Sequence, residues 1–243
     1  MPSNPDTPAI HAESAASVPR VARRSAGPVM HPHHLHAKAN LWALDSALGA
    51  LRIAQRAAAQ AANAADYGTL QAWRPGAGIS RSGGHGDILL DAVVRNISGV
   101  VDPYTLRARR TADTVAWVAK TALGAQHRDD VGPLTQLRDG LHTLSTATAS
   151  NLARWIGEQD HAVRQLLGEP DDHHLIPTAE CPACSRAGIL ALRMSGPAED
   201  RVVVCTATSC TCAGDGCPCR MGLAVAGVRH VWTMAEFRAG AGA

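Results

Sequence analysis

Large aromatic side chains are scarce in this sequence, which has 243 residues but only one Phe, two Tyr and five Trp. A core without them depends on aliphatic side chains, and the abundance of alanine favours closely packed helices. The formal net charge is only +2, which does not support a protein that holds nucleic acid by its overall charge. No apolar run approaches the roughly 20 residues that a helix needs to span a bilayer. We therefore expect a soluble, cytoplasmic protein without a membrane partner.

Motifs of the common enzyme classes are also missing. There is no His-Glu-x-x-His metalloprotease motif, no Gly-x-Ser-x-Gly nucleophile motif and no Walker phosphate-binding loop. A glycine-rich stretch covers residues 74–87, but it lacks the Lys-Ser/Thr pair of a Walker loop and no predicted strand precedes it. No pair of candidate acid and base residues is evident either. We therefore expect that the protein is not an enzyme.

The cysteines, by contrast, are numerous and confined to the last third of the chain. They open as a Cys-x-x-Cys pair and continue as a second group that includes Cys-x-Cys spacings: Cys181, Cys184, Cys205, Cys210, Cys212, Cys217 and Cys219. Two intervening residues allow both thiolates of a pair to reach one cation, and a second group about twenty residues later completes a tetrahedral site. The spacing predicts that one structural Zn²⁺ is bound by Cys181, Cys184, Cys205 and Cys210.

The remaining three cysteines need a fourth ligand, and His230 follows Cys219 closely enough to supply it. We predict one or two zinc ions, the second bound by Cys212, Cys217, Cys219 and His230. Two alternatives stay open: Cys210 and Cys212 could exchange sites, and His230 could lack a metal role. An iron–sulfur cluster also accepts four thiolates. A disulfide framework is less favoured, because the cysteine count is odd and the N-terminus shows no secretory signal.

Hydrophobic periodicity separates an N-terminal tail from a helical domain. Residues 1–36 are rich in proline and polar residues, and we predict a disordered tail. Its closely spaced histidines, His31, His33, His34 and His36, are able to bind a metal ion, but a flexible tail with incidental histidines is the favoured interpretation. Residues 37–170 carry apolar residues at steps of three and four, which predicts a helical bundle. We expect three main helices: from Lys38 to about Ala65, from the Asp102–Pro103 pair to about Leu123, and from Pro133 to about Leu167.

The cysteine-rich region is predicted to be a small β domain. A linker covers residues 171–180, and residues 181–243 form a zinc ribbon in which a hairpin over residues 188–205 carries the ligand groups at one end. The predicted fold class is therefore mainly α, with an N-terminal helical bundle followed by a small C-terminal β zinc ribbon.

The succession Cys-Pro-x-Cys, hairpin, Val-x-Cys, two Cys-x-Cys groups and Arg-His-x-Trp resembles the C-terminal zinc ribbon of proteins from actinobacteriophages and actinomycetes. These proteins are often labelled DNA-binding or regulatory. The loop from Ser82 to Asp87 after an N-terminal helix is similar to the same group, so the resemblance covers about a quarter of the chain. In longer members a helix-turn-helix follows the ribbon, and too few residues follow Trp232 here to form one. The resemblance implies structural zinc and a regulatory role.

Two functions from different classes remain open on the sequence. One is a regulatory protein whose ribbon contacts DNA phosphates without a groove-reading helix, through Arg186, Arg193, Arg201, Arg220 and Arg229. The other is a protein-interaction module, in which the helical bundle and the zinc-stabilised ribbon dock onto a partner protein. The sequence does not define the oligomeric state.

Overall fold

The computed structural model describes residues 29–72 and 102–241. The glycine-rich stretch, the loop from Ser82 to Asp87 and residues 1–28 of the predicted tail lie outside this part. Within it, five α-helices precede or flank a four-stranded antiparallel sheet near the C-terminus. The prediction of a mainly α protein with a small β region is therefore confirmed. No helix in the described ranges is both long enough and apolar enough to cross a membrane.

Helix α1 spans Pro32–Ala72 and is the longest of the described elements. It begins with a proline, whose missing N–H costs no hydrogen bond at a helix start. Residues 32–36 therefore belong to a helix, and the prediction of a disordered tail was wrong for them. The physical reason is a long-range contact: Leu35 is buried against the sheet, which local composition cannot reveal. The helix also continues to Ala72, beyond the predicted end near Ala65.

Helix α2 spans Pro103–Leu123 and begins where the Asp-Pro pair predicted. The Asp102 carboxylate accepts hydrogen bonds from the backbone N–H groups of Tyr104 and Thr105, at 3.4 and 3.1 Å. These N–H groups have no partner within the helix, so the cap stabilises its first turn. The start of this helix was readable from the local sequence alone.

The single helix predicted over residues 133–167 is interrupted. The chain forms two helices around a 3₁₀ turn: α3 over Pro133–Gly140, the turn over Leu141–Thr143 and α4 over Thr146–Leu167. Leu144 is extended, and the Ser145 hydroxyl accepts a hydrogen bond from the Thr148 N–H at 3.1 Å. This cap gives α4 a start of its own. Gly168, in the left-handed conformation, caps the end of α4 at Leu167, where the sequence predicted it.

The sheet has the order β1-β2-β3-β4 and short strands. They are β1 over His174–Ile176, β2 over Leu190–Leu192, β3 over Val202–Cys205 and β4 over Val231–Thr233. The predicted hairpin is present as β2 and β3, with Leu190 opposite Cys205. Strand β1 lies in the segment that we expected to be a linker, and β4 pairs Trp232 with Val203. Helix α5, Met234–Ala241, follows β4.

Two buried clusters fill the described part, and α1 contributes to both. The first joins α1 to α2, α3 and α4 and includes Leu41 and Leu44. The second lies between α1 and the sheet and includes Leu35 and Ala39 of α1, together with Trp232. The first half of α1 is therefore enclosed by helices on one side and by the sheet on the other. The helical region and the cysteine-rich region are therefore joined through α1.

Candidate metal centre

Four cysteines meet at the end of the sheet where β2 begins and β3 ends. Cys181 and Cys184 precede β2, Cys205 is the last residue of β3, and Cys210 follows a turn closed by its N–H donating to the Ala207 carbonyl at 3.0 Å. The four Sγ atoms lie within 4.8 Å of one another, and those of Cys181 and Cys210 are 3.9 Å apart. We call these four residues the first site.

A second set of ligand atoms comes from Cys212, Cys217, Cys219 and His230, also within 4.8 Å of one another. The Sγ atoms of Cys212 and Cys219 are 3.9 Å apart, and His230 Nε2 lies 3.4 Å from Cys217 Sγ. His230 directly precedes β4 and is only 1% exposed. We call these residues the second site. The structure thus groups the ligands without the exchange of Cys210 and Cys212.

Both sites have the dimensions of a tetrahedral metal centre. With metal–sulfur bonds of about 2.3 Å, two sulfurs of a tetrahedron lie about 3.8 Å apart. The separation is 3.9 Å in each site. A disulfide would need about 2.05 Å, and all seven cysteines are free. Thiolate and imidazole donors suit soft or borderline transition-metal ions. Each set could therefore hold one metal ion, with four protein ligands around it.

A residue with a left-handed backbone follows a cysteine in each site. Ser185 has φ 53° directly after Cys184, and Arg220 has φ 54° directly after Cys219. In both cases the backbone N–H two residues after the cysteine acts to lower the pKa of its thiol: the Arg186 N–H for Cys184 and the Met221 N–H for Cys219. Such N–H donors stabilise a thiolate and hold it in place for a cation. Two turns of different sequence therefore orient a cysteine sulfur in the same way.

The thiols of the first site differ in how easily they ionise. Burial raises the pKa of Cys181 to about 11 and also raises the pKa of Cys210. Burial acts in the same direction on Cys184, but hydrogen bonds from the Arg186 N–H and from the neighbouring thiols lower its pKa to about 7. One thiolate therefore forms first, and a metal ion must displace the protons of the other thiols. The affinity for metal should rise with pH.

The second site follows the same pattern. Burial raises the pKa of Cys219 to about 12. Burial also opposes ionisation of Cys217, but hydrogen bonds from the Ala213 N–H, from His230 and from Cys219 outweigh it and lower the Cys217 pKa to about 6. Each site therefore has one thiol that ionises more easily than its buried neighbours.

Trp232 supports the second site from β4. Its indole Nε1–H donates a 2.7 Å hydrogen bond to the Cys219 carbonyl, and its ring stacks on the His230 imidazole with 5.8 Å between ring centroids. Residues two apart in an extended chain lie on one face, which explains the His-x-Trp spacing. The spacing is visible in the sequence, but the supporting role of the indole depends on the distant Cys219 carbonyl and has no local signal.

Arg193, predicted to contact nucleic acid, is turned toward the interior. One guanidinium nitrogen donates to the Asn40 side chain of α1 at 2.9 Å, and carboxylate oxygens of Asp160 and Asp172 lie 4.0 and 3.9 Å away. Its burial lowers its pKa. These contacts give Arg193 a structural role and do not fit the predicted one. The other four arginines differ in exposure: Arg201 is half-buried, whereas Arg186, Arg220 and Arg229 are exposed.

The side chain of Arg193 lines a polar pocket of 360 Å³ between α1, α4 and the sheet. His36 of α1 lies there and donates from Nε2 to the Arg229 carbonyl at 3.1 Å. Burial lowers the pKa of His36 to about 4, so its imidazole is neutral at pH 7. The pocket thus contains polar contacts that join the helical region to the cysteine-rich region, and no local sequence pattern indicates them.

The other histidines at the start of α1 do not add a metal site. Within residues 29–61 and 102–240, sets of ligand atoms close enough to share one ion occur only in the first and second sites. His34 Nε2 instead lies 3.0 Å from the Leu144 carbonyl, where it supports the break between α3 and α4.

Comparisons of the chain with protein-family models, with curated proteins and with solved structures found no match. The resemblance to phage and actinomycete proteins stays an expectation from the sequence.

Proposed function

We propose that the cysteine-rich region is a zinc ribbon with two structural Zn²⁺ ions, and that the protein is a regulatory protein that associates with nucleic acid. The zinc assignment is carried by the two closed sets of four ligands, one of four thiolates and one of three thiolates and an imidazole. Both sets are typical of structural zinc. Because protein atoms fill all four positions, neither site offers a place for a reactive water.

The size of the sheet also supports a structural role for the metal. Its strands have only three or four residues each, so backbone pairing and apolar burial contribute little. Binding of structural zinc supplies on the order of 10 kcal/mol in small metal-dependent domains. We therefore expect the sheet to form together with metal binding.

The nucleic-acid role is supported by three exposed arginines on the surface of this region, Arg186, Arg220 and Arg229. The first donates to the Ser209 hydroxyl and the second to the Gly240 carbonyl, so neither of these contacts neutralises the guanidinium. A guanidinium group whose positive charge is not neutralised is well suited to bind phosphate oxygens. From Cys181 onward the chain has six arginines and four acidic residues, so we expect local phosphate contacts and no strong overall field.

The test begins with metal content and then measures binding of labelled double-stranded and single-stranded oligonucleotides by fluorescence anisotropy. We expect two zinc ions per chain and an affinity that falls steeply between about 50 and 200 mM salt, because phosphate contacts release counterions. Replacement of Arg186, Arg220 and Arg229 by Gln should weaken binding equally on unrelated sequences. It should also reduce the salt slope by about 1 per lost contact.

A matched control changes the same amount of charge elsewhere. Arg56, Arg128 and Arg154 are exposed arginines of the helical region, and their replacement by Gln should leave the affinity largely unchanged. Equal losses for the two triple variants would mean that only total charge matters. No detectable binding at 50 mM salt would reject the nucleic-acid role.

A protein-interaction role is the second candidate, and a groove between α2 and α4 favours it. The groove has a volume of 460 Å³ and is lined by Trp117 and Trp155, whose ring centroids are 4.9 Å apart. Trp117 is 57% exposed, which is unusual for a large apolar side chain in a sequence so poor in aromatics. An apolar segment of a partner protein would fit this surface.

This candidate can be tested by cross-linking in the cells that express the protein, with a photoreactive amino acid placed at position 117. The exposed position 128 serves as the control. A discrete cross-linked species from position 117 alone, lost when Trp155 is replaced by Ser, would support a protein partner. Equal patterns from both positions would reject the groove as a specific docking site.

A further inference from the structure

His230 contacts both sites through different nitrogens of one ring. Its Nε2 lies 3.4 Å from Cys217 Sγ in the second site, and its Nδ1 lies 3.3 Å from Cys210 Sγ in the first. The main chain adds a third link, because the His230 carbonyl accepts a hydrogen bond from the Cys205 N–H at 3.1 Å. A buried ring stacked on Trp232 has little freedom to turn. The ring therefore occupies a fixed position between the two sites.

Metal coordination would decide which nitrogen of this ring carries the proton. A nitrogen that binds a metal ion has no free lone pair for a proton, so a neutral imidazole bound through Nε2 is protonated at Nδ1. The Nδ1–H would then donate to the Cys210 sulfur. Four thiolates around one divalent ion carry two negative charges in excess, and a donated hydrogen bond stabilises that charge. Binding of the second ion at Nε2 would thus make Nδ1–H a hydrogen-bond donor to a thiolate of the first site.

We propose that His230 is both a ligand of the second metal ion and a positioning residue for the first site, so that the two ions bind as a coupled pair. The inference rests on the proposed occupancy of both sites. Coupling is reciprocal, and each ion therefore raises the affinity for the other by the same factor. Partners in the outer coordination sphere typically change metal affinity 10- to 100-fold. We expect a coupling factor in this range.

The decisive variant is His230→Cys in the full chain, because it keeps four ligands in the second site and removes the bridge. Cd²⁺-loaded protein gives one ¹¹³Cd NMR signal per site, and competition with a chelator yields an affinity for each. We expect the second site to stay occupied while the affinity of the first site falls 10- to 100-fold. An unchanged affinity of the first site would overturn the proposal.

Trp232→Phe is the matched control, since it loosens the second site while keeping both nitrogens of His230. It removes the hydrogen bond from the indole to the Cys219 carbonyl but leaves the contact with Cys210. We expect the first site to keep its affinity in this variant. A loss as large as that in His230→Cys would show that general loosening, and not the bridge, controls the first site.

Spectra of the wild-type protein decide the question if His230→Cys does not fold. With ¹⁵N-labelled histidine, Nε2 should couple directly to the second ¹¹³Cd. Nδ1 should carry a slowly exchanging proton that couples to the first ¹¹³Cd through the Cys210 sulfur. Direct cadmium coupling to Nδ1, or a rapidly exchanging proton there, would overturn the proposal. A chain that binds no metal would instead reject the proposed zinc ribbon, so the two failures are distinguishable.

Discussion

The helical region and the cysteine-rich region are stabilised in different ways, although they share helix α1. The first buried cluster holds 15 residues, all aliphatic, whereas the second holds 13, of which five are cysteines. Aliphatic burial stabilises a fold without any need for a bound cation. Buried thiols gathered in two groups contribute fully only when they bind a cation. The two regions should therefore respond differently to chelators, to cavities and to acid.

The largest difference should follow from loss of the first site. Cys181→Ser removes a fully buried ligand, and we expect loss of one metal ion together with on the order of 10 kcal/mol of binding free energy. The sheet should unfold while most of the helical signal in circular dichroism persists. Near-ultraviolet dichroism of Trp232 and metal analysis report on the sheet. The control, Thr208→Ala, changes an exposed neighbour; an ordered, metal-free sheet in Cys181→Ser would contradict this prediction.

Cavity-creating substitutions on the two sides of α1 should affect the stability of the two regions differently. Leu44→Ala empties space in the aliphatic cluster and should lower the free energy of unfolding of the helical region by about 2–5 kcal/mol, with or without metal. Leu35→Ala lies on the sheet side of the same helix, so it should be destabilising only in the metal-loaded protein. Denaturant titrations with and without chelator measure both effects. A metal-independent cost of Leu35→Ala would show that the sheet side is ordered without metal.

Acid should weaken the contact between the regions through His36. Its folded-state pKa of about 4 lies below the ordinary 6.5, because burial disfavours the charged ring beside Arg193, Arg229 and His33. The unfolded chain therefore takes up this proton first as the pH falls. The stability held by neutral His36 is complete above pH 6.5 and is lost toward pH 4, by up to about 3 kcal/mol.

His36→Gln tests this dependence, because glutamine can donate to the Arg229 carbonyl but does not titrate. Its unfolding free energy should change less between pH 6.5 and pH 5 than that of the wild type. Metal content must be measured in parallel, since protonation of the thiols acts in the same direction. Equal pH slopes at equal metal content would show that His36 does not contribute.

The smallest effect should come from the two left-handed turns. Ser185→Gly and Arg220→Gly relieve a backbone conformation that costs non-glycine residues about 1–2 kcal/mol, and the greater freedom of glycine in the unfolded chain offsets part of the gain. We expect each to stabilise the metal-loaded protein by about 0.5 kcal/mol in thermal unfolding. Ser209→Gly, which lacks this backbone conformation, should be neutral or destabilising. Destabilisation by Ser185→Gly would contradict the strain argument.

The parts of the fold that the sequence predicted well depend on nearby residues. The Asp102 cap and the stop at Gly168 are local events, and most of the metal ligands occur in closely spaced groups along the sequence. The hairpin of β2 and β3 likewise joins neighbouring segments. The two sets of ligands could therefore be proposed from the sequence, although only the structure separates Cys210 from Cys212.

The parts that the sequence did not predict depend on distant residues. Strand β1 is three residues long and lacks a pattern of its own, so its pairing with β2 decides its conformation. The burial of Arg193 results from Asn40 and Asp160, which lie in helices far away in sequence. The early start of α1 has the same origin. Leu35 is buried because the sheet packs against it, and the sheet is distant in sequence.

The length of α1 gives its shared position a mechanical consequence. At 1.5 Å per residue, its 41 residues extend over about 60 Å, and one end lies between the sheet and the other helices. A tilt of about 5° over that length displaces one end relative to the other by about 5 Å. A small change in how the cysteine-rich region packs against the first half of α1 would therefore become a displacement of this size along the helix.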